Sequence, residues 1–160
     1  MTERSVTHAT LTITRHYDAS PARVFAAFAE KDRKARWFGS HEGWKSQSYI
    51  FDFRTGGREH LSITAADGVV HTFDARYQDI VPDQRIVYSY DMHLNEMRIS
   101  VSLATVELKP DSKGTRLVFT EQGAFLDGHD NVGQRETGTQ SLLDNLAASL
   151  AADEPAKRSA

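Results

Sequence analysis

Residues 134–152 read QRETGTQSLLDNLAASLAA, and this run decides the fold. Leu142, Leu143, Leu146 and Leu150 recur at helical spacing and form one apolar stripe on an otherwise polar helix. Gly138 lies one turn before Leu142, on the same face. Glycine costs about 1 kcal/mol against alanine inside a helix, so its presence implies a close approach to the helix backbone. A single amphipathic helix needs a partner surface, and the strand-like stretch between residues 47 and 122 supplies one. A helix laid across a sheet, thinning toward one end, implies a pocket rather than a solid core.

Working outward, His8 to Tyr17 sets Ala9, Leu11, Ile13 and Arg15 against Thr10, Thr12, Thr14 and His16, the period of a strand. Ser20-Pro21 is a helix start, a capping hydroxyl followed by proline at the first helical position. Val24, Phe25 and Phe28 form the buried face of that short helix. Asp32 to Phe38 reads as a second one, closed by Gly39 in a left-handed conformation. From Gln47 the period changes to two. Ser48–Phe53 is a strand ended by Thr55-Gly56-Gly57. Glu59, Leu61, Ile63 and Ala65 share one face of the next, which turns at Asp67-Gly68. His71, Phe73, Ala75 and Tyr77 line the following strand, and Val81-Pro82-Asp83 turns into Ile86, Tyr88, Tyr90 and Met92. Met97 to Leu108 is the longest strand, and its apolar parity slips between Leu103 and Val106, which predicts a bulge there. In the last strand Thr115, Leu117, Phe119 and Glu121 share a face.

The fold class is therefore α+β: a strongly curved antiparallel sheet of about six to seven strands wrapped around a long C-terminal helix, with two short helices after the first strand. Residues 1–152 are expected to form a single domain and 153–160, broken by Pro155, a disordered tail.

Composition narrows the function classes. Of 160 residues, 39% are hydrophobic and 26% charged, ordinary for a soluble globular chain. A formal charge of −3 provides no electrostatic footprint for nucleic acid. With no cysteine, thiolate metal sites and cysteine nucleophiles are excluded. No apolar run reaches the ~20 residues that span a bilayer, and residues 1–7 lack a signal-peptide core. A cytoplasmic location is expected, with no membrane and no nucleic-acid partner. The seven histidines have no metal-ligand spacing, and phosphate loop, dinucleotide fingerprint and serine elbow are all missing. No cofactor and no metal are expected.

Several short motifs together resemble the helix-grip, START-like superfamily. They are Tyr17-Asp18-Ala19-Ser20-Pro21 with Val24-Phe25, Arg36-Trp37-Phe38-Gly39, Asp52-Phe53-Arg54-Thr55-Gly56-Gly57, Asp79–Val87 around Pro82, and Gly114-Thr115-Arg116-Leu117 followed by Leu142–Leu146. The branch most similar is that of the C-terminal domain of the activator of heat-shock protein ATPase, over about residues 8–150. The resemblance implies an apolar cavity between sheet and last helix. It does not fix an activity, because the superfamily hosts carriers, cyclases, hydrolases and chaperone partners. Dedicated co-chaperones carry a further N-terminal domain that this chain is not expected to supply, so a chaperone partner is not expected.

The residues expected to line a ligand site are Trp37, Glu59, Leu61, His71, Phe73, Tyr88, Tyr90, Phe119, Glu121, Gly138 and Leu142, and the ligand a small hydrophobic or aromatic molecule. His71 with Glu59 or Glu121 is the candidate acid–base set of a cofactor-independent cyclase- or dehydratase-like enzyme. A ligand hydrogen bond or a satisfied structural histidine are its alternatives. Asp52 and Arg54 read as a local ion pair holding a hairpin rather than an anion clamp. Trp37 either stacks on a ligand or plugs the sheet's open end. Arg135 reads as a solvated helix-end residue, with a reach into the cavity as the alternative. His129 and Asp130 are placed in a mobile lid, and Asn131 with Gln134 forms a capping pair. A third reading is a protein-interaction module, and a homodimer through an edge strand such as the first is open.

Overall fold

The computed structural model describes residues 3–39 and 42–153. Its elements are β1 Val6–Tyr17, α1 Pro21–Ala29, α2 Lys31–Ala35, β2 Lys45–Phe51, β3 Arg58–Thr64, β4 Val70–Val81, β5 Arg85–Leu94, β6 Met97–Asp111, β7 Gly114–Leu126 and α3 Val132–Ala152. One antiparallel sheet contains all seven strands, in the order β1-β7-β6-β5-β4-β3-β2. Strands β2 to β7 form a meander, and β1 closes on the far side of β7 through unbroken pairing from Val6↔Leu126 to Tyr17↔Thr115. The sheet is curved, and α3 crosses its inner face, so the fold is the helix-grip arrangement.

Leu143, Leu146 and Leu150 bury the second half of α3. The closest backbone approaches of α3 are to β1 and α1. Tyr17 donates from its hydroxyl to the Leu143 carbonyl at 3.0 Å, and Arg23 to that of Leu150 at 2.9 Å. Asn131 caps the other end by accepting from the Gln134 amide at 2.9 Å. Thr115 faces inward but donates to the Ala19 carbonyl at 2.6 Å, fixing the β1–α1 turn. No helix among the described residues is long and apolar enough to cross a membrane.

Four local expectations change. The second helix is α2, Lys31–Ala35, and Trp37 and Phe38 continue it only as a turn whose amides bond back to Lys34. It stops because Trp37 swings into the core and donates to the Ala27 carbonyl at 3.0 Å. Gly39 then takes a φ of +75°. The strand expected at 48–53 is displaced to Lys45–Phe51, because Asp52 leaves the ladder to start the hairpin, its amide donating to Arg58. The β6 bulge lies earlier than expected. Pairing with β7 is continuous through Leu103 and Val106, whereas Ile99 is skipped between Arg98 and Ser100 opposite β5. Val101 (39% exposed) and Leu103 (38%) are apolar residues on the outer face, which imitates a slip. Lastly, Asp153, assigned to a disordered tail, ends α3 in ion pairs with Arg33 and Arg36; residues 154–160 lie outside the described residues.

The 52–57 hairpin is confirmed as a local ion pair: Arg54 donates to Asp52 at 2.8 Å, both being largely exposed. A Cβ on Gly57 would sit 2.0 Å from the Asp52 carbonyl oxygen, so no side chain fits without moving backbone. Gly57→Ala is expected to cost about 1–3 kcal/mol, read as a lower urea midpoint at unchanged slope. An unchanged midpoint would show that the turn yields freely.

Candidate functional site

Between the inner face of β3–β5 and the first half of α3 lies a cavity of about 390 Å³. The helix packs on β1 and α1, and its buried leucines, Leu143, Leu146 and Leu150, all lie in its second half. At Gly138 a Cβ would meet no atom within 4 Å, so the glycine marks open space rather than a backbone contact. On the sheet side, small residues separate large ones. Tyr88 pairs with Tyr77 on one side and with Ala104 on the other, and Ala104 pairs with Glu121.

The wall is aromatic. Phe38 meets Phe73 edge-on at 4.9 Å, Phe73 meets Tyr90 at 4.8 Å, and Phe28 meets Trp37 at 4.9 Å. Such edge and offset contacts fix ring positions without filling the space between them. Leu61, Phe119, Leu142 and Met92 complete the apolar surface.

Two buried ion clusters bracket this space. In the first, Lys34 (3% exposed) donates to Glu59 (1%) at 2.6 Å. Tyr77 and Tyr49 donate to the same carboxylate at 2.5 and 2.9 Å. The Lys34 ammonium also lies 4.6 Å from the Phe38 ring centroid. In the second, Arg135 bridges Glu121 at 2.9 Å and Asp130 at 2.7 Å. Its remaining N–H groups reach the Tyr90 hydroxyl at 2.8 Å and Ser100 at 2.6 Å. Tyr90 in turn donates to Glu121 at 2.7 Å. Burial pulls the Arg135 guanidinium down, but Tyr90, Glu121 and Asp130 outweigh it and hold it above its ordinary value. Each buried charge thus has opposite charge and hydrogen bonds around it, the condition under which burial is tolerated.

Of the residues expected at the site, Trp37, Leu61, His71, Phe73, Tyr88, Tyr90, Phe119, Glu121, Gly138 and Leu142 line the cavity. Glu59 does not. It lies behind Lys34, its carboxylate taken up by three donors. The three candidate acid–base residues are not brought together. His71 pairs with Ile63 and Glu59 with Ala75, four positions apart on β4, or about 13 Å along a strand. The row containing Glu121 crosses β4 at Tyr77, six positions from His71. His71 packs against Trp44, with ring centroids 4.7 Å apart and planes tilted by 42°. Trp37 lines the cavity with its ring while its N–H is spent on Ala27. Arg135 is not a solvated helix end, and Asp130 is tied to it rather than free in a lid.

Lys34, Ser100 and Ser102 are absent from the sequence expectations. A signal for Lys34 exists: it precedes Trp37 by three residues and Phe38 by four, the spacing of one helical face. Ser100 and Ser102 share strand parity with Ala104, Val106 and Leu108, which places them inside.

Two outcomes follow. Arg135→Met leaves Glu121 and Asp130 without a cation and is expected to cost about 3–5 kcal/mol; adding Glu121→Gln recovers much of it in denaturant melts. A single variant as stable as the parent would mean that the cluster does not hold α3. The second concerns tyrosine. All five, Tyr17, Tyr49, Tyr77, Tyr88 and Tyr90, are pushed above the ordinary phenol value of 10, chiefly by burial. Raised folded-state values contribute stability that is complete below the unfolded value and is lost as pH rises toward the folded one. Stability therefore declines above about pH 10, and tyrosinate absorbance should appear in one step with unfolding. Tyrosinate absorbance in the folded chain near the ordinary value would contradict this.

The family model described as "Activator of Hsp90 ATPase homolog 1-like protein" matches residues 18–151. Among solved structures, an uncharacterised protein from Rhizobium leguminosarum is 47% identical, with 95% of this chain and 100% of that one covered and a TM-score of 0.91. The Mll3558 protein from Rhizobium loti is 50% identical over 91% of this chain and 99% of its own, with a TM-score of 0.84. An AHSA1-like protein from Aeromonas hydrophila shares the fold at 20% identity and a TM-score of 0.69, covering 90% of this chain and 93% of that one. No functionally curated protein matches. With the match spanning the first helix through the last, the chain belongs to the family of activator of Hsp90 ATPase homolog 1-like proteins.

Proposed function

We propose that this protein binds a small apolar or aromatic molecule between the sheet and α3. The observation that carries the reading is the aromatic-walled cavity of about 390 Å³ beside Gly138. That volume falls within the range of small-molecule sites, and its lining has their composition, many apolar groups and few polar ones. A ligand burying about 250 Å² of apolar surface there would gain roughly 6 kcal/mol, or affinity in the tens of micromolar.

A cyclase-like reaction draws less support, since Glu59 and Glu121 are each engaged by a cation. A protein-docking role draws less as well. The exposed large apolar side chains among the described residues are spread over four elements, Val6 on β1, Ile50 on β2, Val132 on α3, and Met97, Val101 and Leu103 along β6.

The test uses N-phenyl-1-naphthylamine, an uncharged probe that fluoresces in apolar surroundings. The parent chain is expected to light it. Gly138→Leu places a side chain in the open space, so the signal should fall at least tenfold while the melting temperature holds or rises. A dark parent, or a variant that binds equally well, would remove the reading.

A further inference from the structure

Four of the five tyrosines have a protein acceptor for the hydroxyl proton. Tyr17 donates to Leu143, Tyr49 and Tyr77 to Glu59, and Tyr90 to Glu121. Tyr88 is different. Among the described residues its neighbours are rings, Tyr77 at 6.0 Å, Phe73 at 6.2 Å and Tyr90 at 5.8 Å, and the Lys34 ammonium over its face at 5.9 Å. None of the described residues hydrogen-bonds to its hydroxyl. That hydroxyl is not sealed in protein either, since the only buried side-chain atom without a partner among the described residues is His93 Nδ1. The open space next to it is the cavity that Tyr88 lines. A donor left in apolar surroundings calls for an acceptor from whatever fills them.

The charges bracketing the cavity exclude one kind of acceptor. Lys34 is matched to Glu59, and Arg135 to both Glu121 and Asp130. In these ion pairs among the described residues two cations face three carboxylates, so neither Lys34 nor Arg135 is left over for an acidic ligand. An anion entering here would lose its hydration and gain only repulsion. Burial, then Glu121 and Glu59, hold the Tyr88 phenol above its ordinary value against the opposing pull of Arg135. The group stays a neutral donor.

We propose that the cavity takes an uncharged aromatic molecule bearing an accepting oxygen, such as a ketone, ester or ether, seated on the Tyr88 hydroxyl. This rests on the small-molecule reading above. It assigns Tyr88 as the residue that selects among apolar ligands, and makes the acidic members of any ligand series the poorest.

Three naphthalenes of similar size test it by isothermal titration: 2-acetonaphthone, 2-ethylnaphthalene and 2-naphthoate at neutral pH. The parent chain should bind the ketone about tenfold more tightly than the hydrocarbon, and the carboxylate at least tenfold more weakly than the ketone. Tyr88→Phe removes only an oxygen with no protein partner, so the fold should hold. In that variant the ketone should lose its advantage and bind no more tightly than the hydrocarbon. A ketone preference that survives Tyr88→Phe, a parent that shows none, or a carboxylate bound as well as the ketone each overturns the assignment of Tyr88 while leaving the cavity reading standing. If no naphthalene binds and the uncharged probe also stays dark, the cavity reading falls and takes this one with it.

Discussion

The contact between Arg135 and Glu121 sets the height of α3 above the sheet, and the rest of the inner face depends on it. One end of the helix is driven down by Leu143, Leu146 and Leu150 against β1 and α1. Nothing comparable is available at the other end, where Gly138, Thr139 and Ser141 offer little apolar area. There the attraction is polar and of fixed length. A guanidinium bonded at 2.9 Å to a carboxylate can be neither compressed nor drawn away without loss. Apolar packing would pull the helix onto the sheet until the space closed; the Arg135 cluster acts as a strut instead. Tyr90, Ser100 and Ser102 then find their place around the strut.

Lys34 with Glu59 does a similar job at the other end of the site. The lysine stem crosses an aromatic surface, and its head is anchored by a carboxylate that two tyrosines also hold. Pairs of this kind add little net stability compared with a well-packed apolar core, because desolvation offsets most of the attraction. What they provide is a wall whose rings and charges have set positions. Cavity volume and cavity chemistry are in this sense products of the same two clusters.

Much of this was legible in the sequence, for reasons that differ from residue to residue. Strict alternation placed Leu61, Phe73, Tyr90, Phe119 and Glu121 on one face, since a period of two leaves no other assignment once one member is known to be inside. Asn131 and Ser20 announced their helices through side chains that compete for free amides. Lys34 was hidden in Lys31-Asp32-Arg33-Lys34, where four charges in a row have no apolar contrast to orient them. Arg135 was hidden by its neighbours Gln134 and Glu136, which do face outward in part. Its partner Glu121 was visible as an isolated charge on an apolar face. Which cation answered it could not be read, because the pairing depends on how α3 returns across the sheet. The β6 bulge was misplaced for the opposite reason: Val101 and Leu103 are apolar yet point outward, so hydrophobicity misreported the side.

The closing of β1 onto β7 has a kinetic side. Val6 meets Leu126 and Tyr17 meets Thr115, so the sheet's first ladder joins segments about a hundred residues apart in the chain. The β2–β7 meander can zip through short turns, each closing a small loop. The β1–β7 ladder must await the whole of that meander, and so must the docking of α3, which lies against β1. Long-range antiparallel pairing of this kind belongs to the slow end of two-state folding, milliseconds to seconds rather than microseconds. On a growing chain β1 emerges before β2–β7 and stays unpaired until β7 has followed it. Its alternating threonines keep that waiting segment half polar and limit its tendency to pair with the wrong strand.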